Sequence, residues 1–104
     1  MTTLGLYTFF CEFRGGFYIS QVRALDEIGA LRAWAANLVA RKPIPRVSHI
    51  VARNALKELE IIDEVLGMRL PPIPIDGISD TWCSSASCGR DLAMIYFVRT
   101  AELA

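Results

Sequence analysis

The chain has 104 residues, 53% hydrophobic and 10% aromatic, a composition typical of one packed domain over residues 1–104 and not of a disordered segment. Eleven Lys and Arg residues balance eleven Asp and Glu residues, and this formal neutrality disfavours nucleic acid as a partner. Apolar runs are too short to span a bilayer and the first residues lack a secretory pattern, so we expect a cytoplasmic protein without a membrane partner.

A β-hairpin is predicted for residues 4–24, because hydrophobic side chains alternate on both sides of Gly15-Gly16. If those two glycines form the turn, Phe13 lies opposite Tyr18. One face of the hairpin then joins the core, and it consists of Tyr7, Phe9, Cys11, Phe13, Tyr18, Val22 and Ala24.

The opposite face of this hairpin mixes large apolar side chains with charged and polar ones. Its members are Thr8, Phe10, Glu12, Arg14, Phe17, Ile19, Gln21 and Arg23. Exposed apolar groups rimmed by charge are typical of contact surfaces. We therefore predict that this mixed patch is covered by a partner protein or by a second copy of the chain.

Two helices are predicted after the hairpin. The first has Asp26 as its N-cap, ends before Pro43 and buries Trp34 beside an apolar stripe. The second starts with Ser48 as its N-cap and continues to Gly67, although a break near Glu60 is left open.

Charge is distributed unevenly along the chain. Residues 1–57 carry eight Lys and Arg and three Asp and Glu, whereas residues 58–104 carry three and eight. On the predicted second helix, Glu60 is spaced to crowd Asp63 and Glu64 near the helix end, where anions are disfavoured. Either a basic residue elsewhere compensates these charges, or they form a functional surface that steers a basic partner.

A second hairpin is predicted near the end of the chain. The run "MRLPPIPIDGISD" favours an extended connection, and "TWCSSAS" and "LAMIYFVRT" favour two strands joined by a turn in "CGRD". Trp82, in the first of these strands, is a candidate for the core and also for the partner-binding surface. The order ββααββ predicts an α+β fold, in which an antiparallel sheet from two hairpins packs two helices on one face.

Residues with obvious chemistry are few. His49 is the single histidine, so a small hydrolase would have to use it, or Cys83, with a nearby carboxylate. The chain has three cysteines, Cys11, Cys83 and Cys88. Three are too few for a disulfide scaffold, and their spacing does not favour a zinc site. We therefore expect no catalytic residue, no metal and no cofactor, with the hydrolase as the alternative.

The run "FRGGFYISQVRALDEIGALRAW", followed by "TWCSSAS" and "IYFVRT", resembles small bacterial single-domain proteins of the toxin-immunity type. The resemblance covers both hairpins and the first helix. It implies a non-catalytic protein that binds a cognate toxin, for example a basic toxin domain, and neutralises it. It carries over no functional residue, and a homodimeric structural protein remains a further alternative.

Overall fold

The computed structural model describes residues 3–60, 62–63, 68–69 and 72–102, the two short segments by their backbone alone. The strands and helices of these residues are β1 (Gly5–Phe13), β2 (Gly16–Ala24), α1 (Glu27–Arg41), α2 (Ser48–Glu58), β3 (Ile62–Asp63), β4 (Met68–Arg69), β5 (Ile73–Pro74), β6 (Thr81–Cys88) and β7 (Asp91–Thr100). Neither described helix has the length and hydropathy that crossing a membrane requires.

Five of these strands form one antiparallel sheet with the order β2-β1-β7-β6-β5, while β3 and β4 pair separately. α1 contacts β2 and α2, and α2 contacts β6, so the helices form a single layer over the sheet. The predicted α+β fold, with two helices on one face of an antiparallel sheet, is confirmed. β7 lies in the middle of the sheet, in agreement with its apolar side chains on both faces.

The core between helices and sheet is built around a stack of aromatic rings. Phe9 on β1 lies between Phe97 on β7 and Trp34 on α1, with ring centroids 4.4 Å and 5.5 Å away. Trp34 is buried, as predicted. The predicted core face of the first hairpin is also confirmed, since all its members are buried except Tyr18, which is partly buried against the core.

The turn of the first hairpin differs from its prediction. It consists of Arg14 and Gly15, which have φ angles of 50° and 77° as a tight hairpin turn requires, and Gly16 already pairs with Phe13. Gly16 lies against the Tyr18 side chain, which would have to move to admit a Cβ there, because this atom would lie 2.7 Å from the Tyr18 hydroxyl oxygen. The register therefore moves by two residues, and a shift of two leaves each side chain on its predicted face.

The start of α1 follows the prediction. The Asp26 side chain accepts a hydrogen bond from the Gly29 N–H at 2.7 Å, and Glu27 occupies the first turn. At the other end, Lys42 adopts a left-handed conformation and Pro43 follows it, which stops the helix.

Replacing Asp26 by Ala is expected to lower the free energy of unfolding by about 1 kcal/mol, because the Gly29 N–H loses its acceptor. Asp26→Asn keeps an acceptor oxygen and serves as the matched control. Urea denaturation of the three proteins measures the difference. Equal losses in both variants would show that the cap contributes through its charge and not through this hydrogen bond.

The second helix has a different N-cap from the predicted one, and it ends near the break that the sequence left open and not at Gly67. Ser48 is not the N-cap, because its hydroxyl group is held by Ile44: it accepts from the Ile44 N–H and donates to the Ile44 carbonyl, both at 2.9 Å. The helix ends at Glu58, and the break near Glu60 that the sequence left open is realised as a turn. Gly67 lies outside the described residues.

This early end removes the predicted crowding of acidic side chains on one helix face. Glu60 is exposed in the turn after α2, and Asp63 belongs to the short strand β3, opposite Met68. Glu64 lies outside the described residues. The isoleucine pair that follows Glu60 disfavours helix, because β-branched side chains lose rotamer freedom there.

The second predicted hairpin is present as β6 and β7. Gly89, with a φ of 62°, and Arg90 form its turn. The preceding proline-rich connection is extended only in part: its Ile73–Pro74 segment adds a two-residue strand at the edge of the sheet, whereas residues 76–77 and 79–80 form turns, and residues 70–71 lie outside the described residues.

Candidate protein-binding face

The sheet face opposite the helices is here called the open face. Side chains alternate along each strand, so the residues between the buried ones project onto this face. They are Leu6, Thr8, Phe10 and Glu12 on β1, Phe17, Ile19, Gln21 and Arg23 on β2, Ile73 on β5, Thr81, Cys83, Ser85 and Ser87 on β6, and Leu92, Met94, Tyr96, Val98 and Thr100 on β7.

One row of side chains crosses all five strands of the open face. In register from one edge to the other, it consists of Ile19, Phe10, Tyr96, Cys83 and Ile73. Ile19 is 63% exposed, Ile73 47% and Tyr96 38%. Side chains directly opposite one another on neighbouring strands pack together, so this apolar row is continuous.

Further apolar groups widen the row toward the hairpin turns. Phe17 is 61% exposed, and its ring meets the ring of Phe10 edge-on, with centroids 6.5 Å apart. Leu92 is also exposed, and Met94 is half-buried opposite Glu12. The open face therefore has an aromatic and aliphatic centre without a covering layer in the described part of the chain.

Charged side chains lie at both ends of the open face and largely neutralise each other. At the turn end, Arg14 Nε donates to Asp91 Oδ2 at 2.6 Å. At the other end, Arg23 makes a bidentate pair with Glu102, in which Nη1 donates to Oε2 at 3.1 Å. This hydrogen bonding lowers the pKa of Glu102 and raises the pKa of Arg23. Glu12 has no such partner among the described residues.

Polar groups on the open face are joined to one another. The Gln21 Nε2 donates to Thr8 Oγ1 at 3.0 Å, and the Thr8 hydroxyl is also hydrogen-bonded to the Thr100 hydroxyl. Because these two threonine hydroxyls and the Gln21 amide nitrogen already have partners, a protein that covers them does not leave these atoms unsatisfied.

The predicted patch of the first hairpin lies together on this face, with Arg14 in the turn beside it. Sequence reasoning missed the contribution of β6, β7 and β5. The signal was present in the alternation of the last strand, which separates Met94 and Tyr96 from the buried Ile95. What the sequence did not provide was the pairing of β1 with β7, which brings Tyr96 beside Phe10.

Of the other predicted partner-binding residues, Trp82 and Glu60 have described side chains, and neither belongs to the open face. Trp82 lies on the face under the helices, where its ring stacks on Phe97 at 5.4 Å and approaches Tyr7 at 6.0 Å. Its assignment to the binding surface is replaced by a core role, because its side chain points to the opposite side of β6 from Cys83. Glu60 and Asp63 belong to the segment that follows α2.

The residues considered for hydrolysis do not converge. His49 is exposed on α2 in the helical layer, whereas Cys83 lies on the open face of the sheet. Cys11 is fully buried, and burial raises the pKa of its thiol to about 11. Within the described residues, no group of three His, Cys, Asp or Glu side chains could hold a metal ion.

Comparison of the chain with models of protein families, with curated proteins and with solved structures found no match. Its function is therefore inferred from the geometry of the open face.

Proposed function

We propose that this protein is a non-catalytic protein-binding module whose binding surface is the open face of the sheet. The observation that carries the proposal is the apolar row that crosses all five strands without a covering layer in the described residues. The faces of an antiparallel sheet commonly divide into one packed side and one polar, solvated side. A solvated side would not favour Ile19, Phe10 and Tyr96 in adjacent positions.

The size of the open face supports this proposal. Four long strands spaced about 4.8 Å apart and eight residue steps of about 3.3 Å along β7 give an area of roughly 500 Å². A standard protein–protein interface buries about 800 Å² on each partner. The open face alone thus accounts for most of such an interface, and the ion pairs at its ends would form the polar rim.

Tyr96 is the residue on which we expect binding to depend most. It lies in the central strand, flanked in register by Phe10 and Cys83, and tyrosines near the centre of an interface often dominate its affinity. The resemblance of both hairpins to immunity-type proteins makes a toxin the first class of partner to test. The three free cysteines, two of them buried, support a reducing compartment, and we propose the cytoplasm.

The test is co-purification of the tagged protein from its native host, followed by affinity measurement with the partner that is recovered. The wild-type protein is expected to retain one stoichiometric partner. Tyr96→Glu, which places a carboxylate in the centre of the apolar row, is expected to weaken binding by at least about tenfold.

Val39→Glu provides the matched control, because Val39 is 49% exposed on α1 and lies in the helical layer. It introduces the same charge without touching the open face. Equal affinity of the Tyr96→Glu protein and the wild type would contradict the proposal. A mass in light scattering that doubles with concentration, and that Tyr96→Glu returns to the monomer value, would identify a second copy as the occupant instead.

A further inference from the structure

The two edges of the five-stranded sheet differ strongly in their protection. β5 contributes only Ile73–Pro74, and short edge strands and proline both discourage the addition of another strand. β2 is nine residues long and contains neither proline nor lysine. No other described strand pairs with its outer side. Among the described strands, the sheet therefore has one blocked edge and one open edge.

The outward backbone groups of β2 can be assigned from the pairing of the first hairpin. A two-residue turn closes on a hydrogen-bonded pair, here Phe13 with Gly16, and such pairs alternate with pairs whose backbone groups point away. The N–H and C=O groups of Phe17, Ile19 and Gln21 therefore point to the open edge. No turn, loop or cap among the described residues makes a backbone hydrogen bond with these groups.

A groove of about 340 Å³ runs along this edge, between β2 and the end of α1. Its walls include Tyr18 and Ser20 from β2 and Trp34, Leu38, Arg41 and Pro43 from α1 and the residues after it. Trp34 and Leu38 are buried and supply an apolar floor. A strand added beside β2 would direct every second side chain toward the helices and so into this groove.

The charge of the groove indicates the character of the occupant. Among the residues that line the groove, Arg41 in the last turn of α1 carries a charge. No carboxylate among the described residues lies within ion-pair distance of Arg41. Lys42 follows directly. An acidic side chain or a terminal carboxylate on the occupant would complement Arg41.

We propose that β2 accepts an extended peptide segment of a partner protein as an additional strand, with an apolar side chain in the groove and a carboxylate against Arg41. Main-chain hydrogen bonds to β2 give this mode its affinity, and the groove gives it side-chain preference. The edge is a second contact site beside the open face, and each proposal can fail while the other holds.

The probe is a displayed library of random octapeptides selected on the whole protein. Selection is expected to enrich sequences that alternate apolar residues with polar ones and include an acidic residue. A synthetic copy of an enriched peptide should slow amide hydrogen exchange at Phe17, Ile19 and Gln21. Arg41→Gln is expected to weaken its binding by about tenfold, because one charge-assisted contact is lost.

Two substitutions at one position isolate the backbone contribution. Ile19→Pro and Ile19→Ala both remove the same open-face side chain, but only proline removes the outward N–H, and proline is tolerated at sheet edges. We expect Ile19→Pro to bind the peptide at least about tenfold more weakly than Ile19→Ala. Damage to the open face is common to both variants and cannot produce this difference.

If Ile19→Pro does not fold, the same hydrogen bonds can be tested on the peptide by N-methylation of its backbone amides. Two peptides are made, one methylated at the odd-numbered amides and the other at the even-numbered amides. Only the peptide whose methylated amides face β2 should lose binding. Failure to enrich any peptide would overturn the inference, as would equal binding by both Ile19 variants or by both methylated peptides. Self-association of the wild type that Ile19→Pro abolishes would assign the edge to a second copy, and would overturn it as well.

Discussion

Replacing Phe9 by Ala is expected to lower the free energy of unfolding by about 3–5 kcal/mol. The Phe9 ring is fully buried and lies in the middle of the aromatic stack, between Phe97 at 4.4 Å and Trp34 at 5.5 Å. Its removal leaves a cavity that the neighbouring rings, fixed on β7 and α1, can fill only in part. Chemical denaturation with tryptophan fluorescence measures the loss, because Trp34 forms one wall of the cavity.

Phe17→Ala is the matched control for this experiment. It is the same substitution on the neighbouring strand, but the Phe17 side chain is 61% exposed on the open face. Its effect on the free energy of unfolding is expected to stay below about 1 kcal/mol. Similar losses for both variants would mean that the open face contributes to stability as a covered surface does, and would contradict the arrangement of layers described above.

Two buried serines are expected to respond in opposite directions to substitution by Ala. Ser48 is 2% exposed and satisfies both backbone groups of Ile44, which is itself buried. Ser48→Ala leaves the Ile44 N–H without its acceptor and should lower the free energy of unfolding by about 1–3 kcal/mol. Ser84 on β6 is 6% exposed, and its hydroxyl has no hydrogen-bond partner among the described residues.

Ser84→Ala removes this unsatisfied hydroxyl group and should leave the stability unchanged or raise it by up to about 2 kcal/mol. Because both variants delete one oxygen from a buried serine, each is the control for the other. Urea denaturation of the two proteins and the wild type gives the comparison. A loss of stability on Ser84→Ala equal to that on Ser48→Ala would show that the Ser84 hydroxyl is hydrogen-bonded in solution.

The sequence alone predicts which face of the sheet each strand residue occupies. Successive side chains in a strand point to opposite faces, so Phe9 and Phe10 lie on different faces whatever the register. The position of the turn could not be predicted in this way, because both Gly15-Gly16 and Arg14-Gly15 have a composition that a two-residue hairpin turn accepts. In the structure Arg14 and Gly15 have the positive φ angles of the turn, and Gly16 already belongs to β2.

The end of α2 could not be predicted, because the hydrophobic pattern of the sequence continues beyond the helix. Helical spacing continues in the sequence from Val51 to Leu66, so periodicity alone favoured one long helix. In the structure Leu59 is fully buried at the end of the helix, and the chain turns there. Glu60 therefore lies beyond the end of the helix, so the helical spacing that predicted its crowding with Asp63 and Glu64 does not apply.

Only the part of the open face that lies on the first hairpin could be predicted from the sequence, because the rest depends on the strand order. The hairpin itself placed Phe10, Phe17 and Ile19 on one face, because those contacts are local. The addition of Tyr96 and Ile73 depends on strand order, which pairs segments far apart in sequence and has no local signature.

The pairing of β1 with β7 also sets the order in which this protein can be completed. These strands are neighbours in the middle of the sheet but lie at opposite ends of the described chain, so the ribosome releases β1, β2 and both helices before β7 exists. Contacts between distant segments form slowly, because the intervening chain must lose entropy before they stabilise anything. Until then, the aromatic side of the first hairpin lacks Phe97, its closest partner, and is open to misassociation with other nascent chains.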